Sequence, residues 1–143
     1  MQRQSVIPLS MISTRVPSWS TNWSALFLAV VGSAFLCILF ADGFADGIIK
    51  PLAERWRPSN DPLVKYSVQV VDNLRMKDYS FCSAHAANTM SIAVFFSLLI
   101  RSRMMTITMI TWSLVNCWTR LYLGVHYPLD IATGLLLGSV VGF

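Results

Sequence analysis

Charge is scarce in this chain. Asp, Glu, Lys and Arg make up 13% of its residues, about half the share in an ordinary soluble domain. Apolar residues make up 55%, and the mean hydropathy of +0.56 leaves too little polar surface to cover a soluble core of this size. There is no run of Lys and Arg interleaved with aromatics, so the net charge of +4 does not indicate a nucleic-acid partner. Cysteine is rare and widely spaced. Cys37, Cys82 and Cys117 offer neither a disulfide framework nor a zinc site, and read as structural. Histidine is rarer still, with two. No repeat or low-complexity stretch is present, and 143 residues suffice for one domain.

The chain is rich in apolar runs. Trp23 to Phe40 carries no charge, and apolar character resumes over Phe44 to Ile49. About 20 helical residues cross the roughly 30 Å of a bilayer core, so this segment is long enough to span. It exceeds the apolar core of a signal peptide, and the polar leader before it is long for one. Ala86 to Ile100 and Met104 to Trp118 follow, separated by the basic turn Arg101-Ser102-Arg103, and Ile131 to Phe143 is a fourth run. The expectation is an all-α, integral-membrane helical bundle of about four transmembrane helices over residues 23–143, behind a polar leader over residues 1–22. Gly134, Gly138 and Gly142 repeat every four residues and predict a face for close helix packing.

Polar chemistry is concentrated in three short strings: Lys50 to Pro58, Ser83-Ala84-His85, and Arg120 to Asp130. If the four runs cross in succession, all three strings fall at one membrane face, and Arg101 and Arg103 fall at the other. Ser83 precedes a helix start, where its hydroxyl can cap and free N–H groups can hold an anion. Pro128 suits the first turn of the last helix and biases Tyr127 away from helical geometry. Asp130 then sits in that first turn and Arg120 at a helix C-terminus, both favourable in the helix dipole. Gly124 lets the chain turn between Arg120 and His126. Three fixed cations (Lys50, Arg57 and Arg120), two imidazoles (His85 and His126), the Ser83 hydroxyl and the Asp130 carboxylate can hold a phosphate and displace it. His126 and Asp130 are also spaced for a plain local hydrogen bond, which would leave the other ring nitrogen basic. Two histidines and one aspartate make no convincing metal ligand set. Arg55, Lys65, Arg75 and Lys77 read as interfacial anchors. Segment 59–82 reads as a polar loop, with Val64, Val68, Val71 and Leu74 at helical spacing, suited either to lie at the interface or to remain partly ordered.

These strings resemble the type 2 phosphatidic acid phosphatase superfamily, which includes vanadium haloperoxidases and bacterial acid phosphatases. Its pattern is Lys-x6-Arg-Pro, then Pro-Ser-Gly-His, then Ser-Arg-x5-His-x3-Asp. The first is matched in full; Cys82, Ala84 and Thr119 stand where the pattern has Pro, Gly and Ser. The resemblance implies that His126 attacks phosphorus and carries a phosphohistidine, that Asp130 orients it, and that His85 protonates the leaving oxygen. It implies that Lys50, Arg57, Ser83 and Arg120 bind the phosphate oxygens, with no metal and no cofactor. The implied substrate is a lipid phosphate in the bilayer, either a polyprenyl diphosphate such as undecaprenyl diphosphate or a lipid A or glycerolipid phosphate. The implied location is the bacterial cytoplasmic membrane with the site facing outward. Membrane members of the family have six spanning helices against about four here, so the expectation is a partial version of that fold, incomplete at both ends. The rival expectation is a truncated, non-catalytic paralogue that only packs or binds.

Overall fold

The computed structural model describes residues 22–68 and 79–143, and among these the regular structure is entirely helical. Helix α1 (Trp23–Phe44) begins where the Asn22 side chain accepts a hydrogen bond from the Ala25 N–H at 3.3 Å. It passes without a break into a π turn (Ala45–Ile49) and the short α2 (Lys50–Ala53). The π turn lies just ahead of Pro51, whose ring has no N–H and crowds the carbonyl four residues back. The ladder widens there, and the Lys50 N–H reaches back to the Ala45 carbonyl. Glu54, in the left-handed region at φ 45°, ends the helix three residues beyond the expected stop near Lys50.

Three further helices follow: α3 (Ala84–Ile100), α4 (Arg103–Tyr122) and α5 (Pro128–Gly142). Their boundaries lie close to those read from the apolar runs. The four-span expectation holds in its coarser form: among the described residues the regular structure is all helical, with four long helices. Among the described residues only Trp23–Ala53, 31 residues with a mean hydropathy of 2.5, is both long and apolar enough to cross a membrane. The 17 residues of α3 and 15 of α5 reach about 25 and 22 Å at 1.5 Å per residue. Helix α4 is longer, but Thr, Ser, Asn and Arg dilute it.

Helix α3 is the centre of the packing, with α5, α4 and α1 against it. The glycine face of α5 sets the closest approach. A methyl group built on Gly134 would stand 2.5 Å from the Ser83 carbonyl oxygen, one on Gly138 would overlap the Ala87 carbonyl, and one on Gly142 that of Ser91. Small residues on α3, including Ala86, Ala87 and Ser91, complete the contact. All three cysteines are free thiols, and Cys82 packs with Ala45 and Ala84 under the site. The polar leader lies outside the described residues except for Asn22, as do Val71, Leu74, Arg75 and Lys77. The described part of the loop runs in turns from Pro58 to Ser67 rather than as an amphipathic helix; the Asp61 carboxylate accepts from the Leu63 N–H at 2.9 Å.

Candidate active site

Four helix ends meet at one place. Lys50 stands at the end of the long first helix, His85 in the first turn of α3, Arg120 in the last turn of α4, and Asp130 in the first turn of α5. The local sequence explains each position. Ser83 takes an extended conformation and accepts from the Ala86 N–H at 3.4 Å, which starts α3 and points its first turn at the site. Gly124, at φ 66°, reverses the chain after α4 and brings His126 back toward Arg120. Tyr127 is extended, Pro128 opens α5, and Asp130 receives the Tyr127 N–H at 2.9 Å in a capping box.

These ends enclose a cavity of about 290 Å³ onto which Lys50, Arg57, His85, Arg120 and His126 all open. Lys50 and Arg57 are nonetheless buried against protein, as is His126. The Lys50 ammonium is paired with Asp46 at 2.6 Å. Arg57 donates to the Val125 carbonyl at 3.1 Å and lies 3.4 Å from His126 Nε2. The Arg120 Nε is buried without a hydrogen-bond partner among the described residues.

The other two predicted site residues lie behind the cavity wall. Ser83 is fully buried; its hydroxyl serves the α3 cap and its N–H donates to the Asp130 carbonyl at 3.0 Å, while Ala84 and His85 line the cavity. Asp130 is fully buried behind His126, with its Oδ2 3.7 Å from Nδ1, longer than the hydrogen bond that the four-residue spacing predicts.

Several functional neighbours were not read from the sequence. Arg55 is no interfacial anchor: its guanidinium donates to Asp130 Oδ1 at 2.9 Å and lies 4.3 Å from the centre of the Tyr127 ring. The Ser80 hydroxyl donates to Asp130 Oδ2 and lies 3.4 Å from His126 Nδ1. The Tyr127 hydroxyl donates to Asp61 at 2.9 Å; burial and that carboxylate push the phenol above its ordinary range. Asp42 and Asp46 make one side of the cavity acidic, and the Asn88 amide donates to Asp42 at 3.0 Å. Among the described residues no group of three or more His, Cys, Asp or Glu side chains could hold a metal ion.

A sequence model described as the PAP2 superfamily matches residues 14–143. The chain belongs to the PAP2 superfamily. It is 38% identical over 124 residues to a lipid A 4'-phosphatase of Bacteroides thetaiotaomicron, covering 85% of this chain and 54% of that protein. It is 36% identical over 117 residues to a lipid A 4'-phosphatase of Porphyromonas gingivalis, covering 80% of this chain and 49% of that protein. An undecaprenyl-diphosphatase of Sulfolobus acidocaldarius is 42% identical over 67 residues, covering 46% of this chain and 32% of that protein. The chain spans about half the length of the two lipid A 4'-phosphatases. No solved structure matches it. In this PAP2 chain the superfamily's three strings meet as the helix counting predicts, at one end of the helices, with Arg101 and Ser102 in the turn at the opposite end of α3.

Proposed function

We propose that this protein is a membrane phosphatase that hydrolyses lipid phosphates through a phosphohistidine on His126. The observation that carries the reading is the meeting of three cations and both histidines on one cavity. Lys50, Arg57 and Arg120 hold the non-bridging oxygens of the phosphoryl group. His126 Nε2 attacks phosphorus; the bond to the leaving oxygen breaks, and His85 gives that oxygen its proton. Water then attacks the phosphohistidine, loses its proton to His85, and inorganic phosphate leaves. Fixed positive charge stabilises the loose transition state by several kcal/mol in a water-poor site. Ser83 contributes by holding the first turn of α3 in place, and Asp130 by stabilising the charge that builds on His126.

In this reading residues 23–143 form the phosphatase domain. The exposed apolar side chains of α1, among them Phe27, Leu28 and Phe35, lie in lipid, and α3, α4 and α5 complete a bundle within the bilayer of the bacterial cytoplasmic membrane. The site faces outward, where a lipid headgroup reaches the cavity while its tail stays in the bilayer. A lipid A phosphate is the first-choice substrate, because the lipid A 4'-phosphatases match most of the chain; a polyprenyl diphosphate is second, on the shorter match to the Sulfolobus protein. The test is phosphate release by membranes containing the chain, supplied in turn with lipid A, undecaprenyl diphosphate and phosphatidic acid. Release from at least one lipid, lost in His126→Ala at equal protein level, is the expected result. Release that persists in His126→Ala removes the nucleophile, and no release from any lipid removes the activity.

A further inference from the structure

Both nitrogens of the His126 ring have neighbours that fix where the proton sits. Arg57 carries donors only, and its Nη1 lies 3.4 Å from Nε2, so Nε2 presents a lone pair to it. The ring proton is therefore on Nδ1, and Nδ1–H needs an acceptor. Asp130 is the obvious one from the sequence, but its nearer oxygen is 3.7 Å away. That oxygen, Oδ2, already accepts from the Ser80 hydroxyl and from the Tyr127 N–H at 2.9 Å, which uses both its lone pairs. The other oxygen accepts from Arg55. Among the described residues the Ser80 oxygen lies nearer to Nδ1 than Asp130 does, at 3.4 Å, and its own proton is committed to Asp130.

We infer that Ser80 is a positioning residue for the nucleophile: its hydroxyl links Asp130 to His126, accepting from Nδ1–H and donating to the carboxylate, and so holds in place the ring whose bare Nε2 Arg57 sets. The inference rests on the phosphatase reading for its kinetic consequence, but not for the tautomer. Ser80 is fully buried and held from the other side, because its N–H donates to the Arg55 carbonyl at 2.8 Å. The segment that follows Lys50 thus anchors the backbone that carries the hydroxyl beside Nδ1. During attack the developing imidazolium keeps its Nδ1 proton, and the serine passes the stabilising field of the Asp130 charge to it without any net proton transfer.

The chain has two histidines, so 15N labelling of histidine in the full chain in detergent gives two ring systems, assigned by His85→Gln. At neutral pH the expected His126 ring has a protonated Nδ1 and a bare Nε2. Ser80→Ala should shift the Nδ1–H signal and speed its exchange with water, while Ser80→Thr, which keeps the hydroxyl, should not; the His85 signals report whether the fold is intact. In the phosphate-release assay Ser80→Ala should lower kcat about 10- to 100-fold, short of the roughly 10⁴ that a fully wrong tautomer costs a His–carboxylate pair, with KM within about twofold and activity restored by Ser80→Thr. A His126 ring protonated on Nε2 in the unsubstituted chain overturns the inference even if Ser80→Ala does not fold. So does a Ser80→Ala ring unchanged from the parent. If the Nδ1–H signal responds as expected but no lipid phosphate is hydrolysed by the parent chain, the phosphatase reading fails and the role of Ser80 stands.

Discussion

Replacing Gly138 by Ala tests the α3–α5 contact that sets the site's dimensions. A Cβ at this position would overlap the Ala87 carbonyl oxygen and stand 2.9 Å from the Met90 Cβ, where carbon atoms prefer about 3.5–4.0 Å. The obstructing atoms belong to the α3 backbone, so no rotamer change relieves the overlap and the helices must part by about 1 Å. Overpacking of this kind costs about 1–3 kcal/mol, here toward the upper end; the better helix propensity of alanine returns about 1. The net expectation is about 2 kcal/mol of destabilisation, read as a lower midpoint of thermal unfolding in detergent. Because α5 carries Asp130 and α3 carries His85, a 1 Å displacement between them should also lower phosphate release by up to about 100-fold. The control is Gly32→Ala on α1, where the new methyl meets nothing within 4 Å and the same substitution should stabilise by about 0.5–1 kcal/mol. If Gly138→Ala proves as stable as Gly32→Ala, the two helices do not approach through this glycine face, and the packing argument is wrong.

The remaining expectations concern the site and its setting. His85→Ala should reduce turnover nearly as far as His126→Ala while leaving protein levels similar, because in the proposed mechanism both serve the same displacement; turnover close to the parent's would remove His85 as the acid. Activity in excess EDTA should equal that without it if, as proposed, Lys50, Arg57 and Arg120 form the phosphate clamp; a loss restored by a divalent cation would contradict this. Arg55→Gln strips Asp130 of a cationic hydrogen-bond partner. A fully buried pair broken this way costs about 3–5 kcal/mol, and with the Arg55 side chain 37% exposed about 1–2 is expected from denaturation in detergent; no change would mean that the pair carries no net stability. A cysteine in place of Ser102 should resist an impermeant thiol reagent in intact cells relative to permeabilised ones, with the parent chain as background; ready labelling in intact cells would turn the site inward.

The legible parts of this protein were those that repeat or bracket a helix. Four apolar runs marked four helices because burial or lipid exposure needs apolar side chains all round. The caps at Ser83 and Pro128 fixed where two of them start, because each residue type has one favourable place at a helix N-terminus. The glycine stripe marked the face of α5 that meets α3 because only small residues permit that approach. Lys50, Arg57, His85, Arg120 and His126 then converge as a consequence of helix lengths. Ser80 and Arg55 were missed for a different reason: they act from connecting segments, whose register depends on what the tertiary structure brings beside them. Arg55 left one trace. Beyond the left-handed turn at Glu54 the backbone is not helical, and in an extended stretch residues two apart share a side. Arg55 and Arg57 both reach toward the α5 end of the site while Trp56 between them is exposed. Reading that alternation would have placed the second arginine against the buried Asp130, the one carboxylate in the third string. Ser80 has no such trace. Its hydroxyl gains meaning only from two atoms, 46 and 50 residues further along, that the turn at Gly124 and the start of α5 carry into reach.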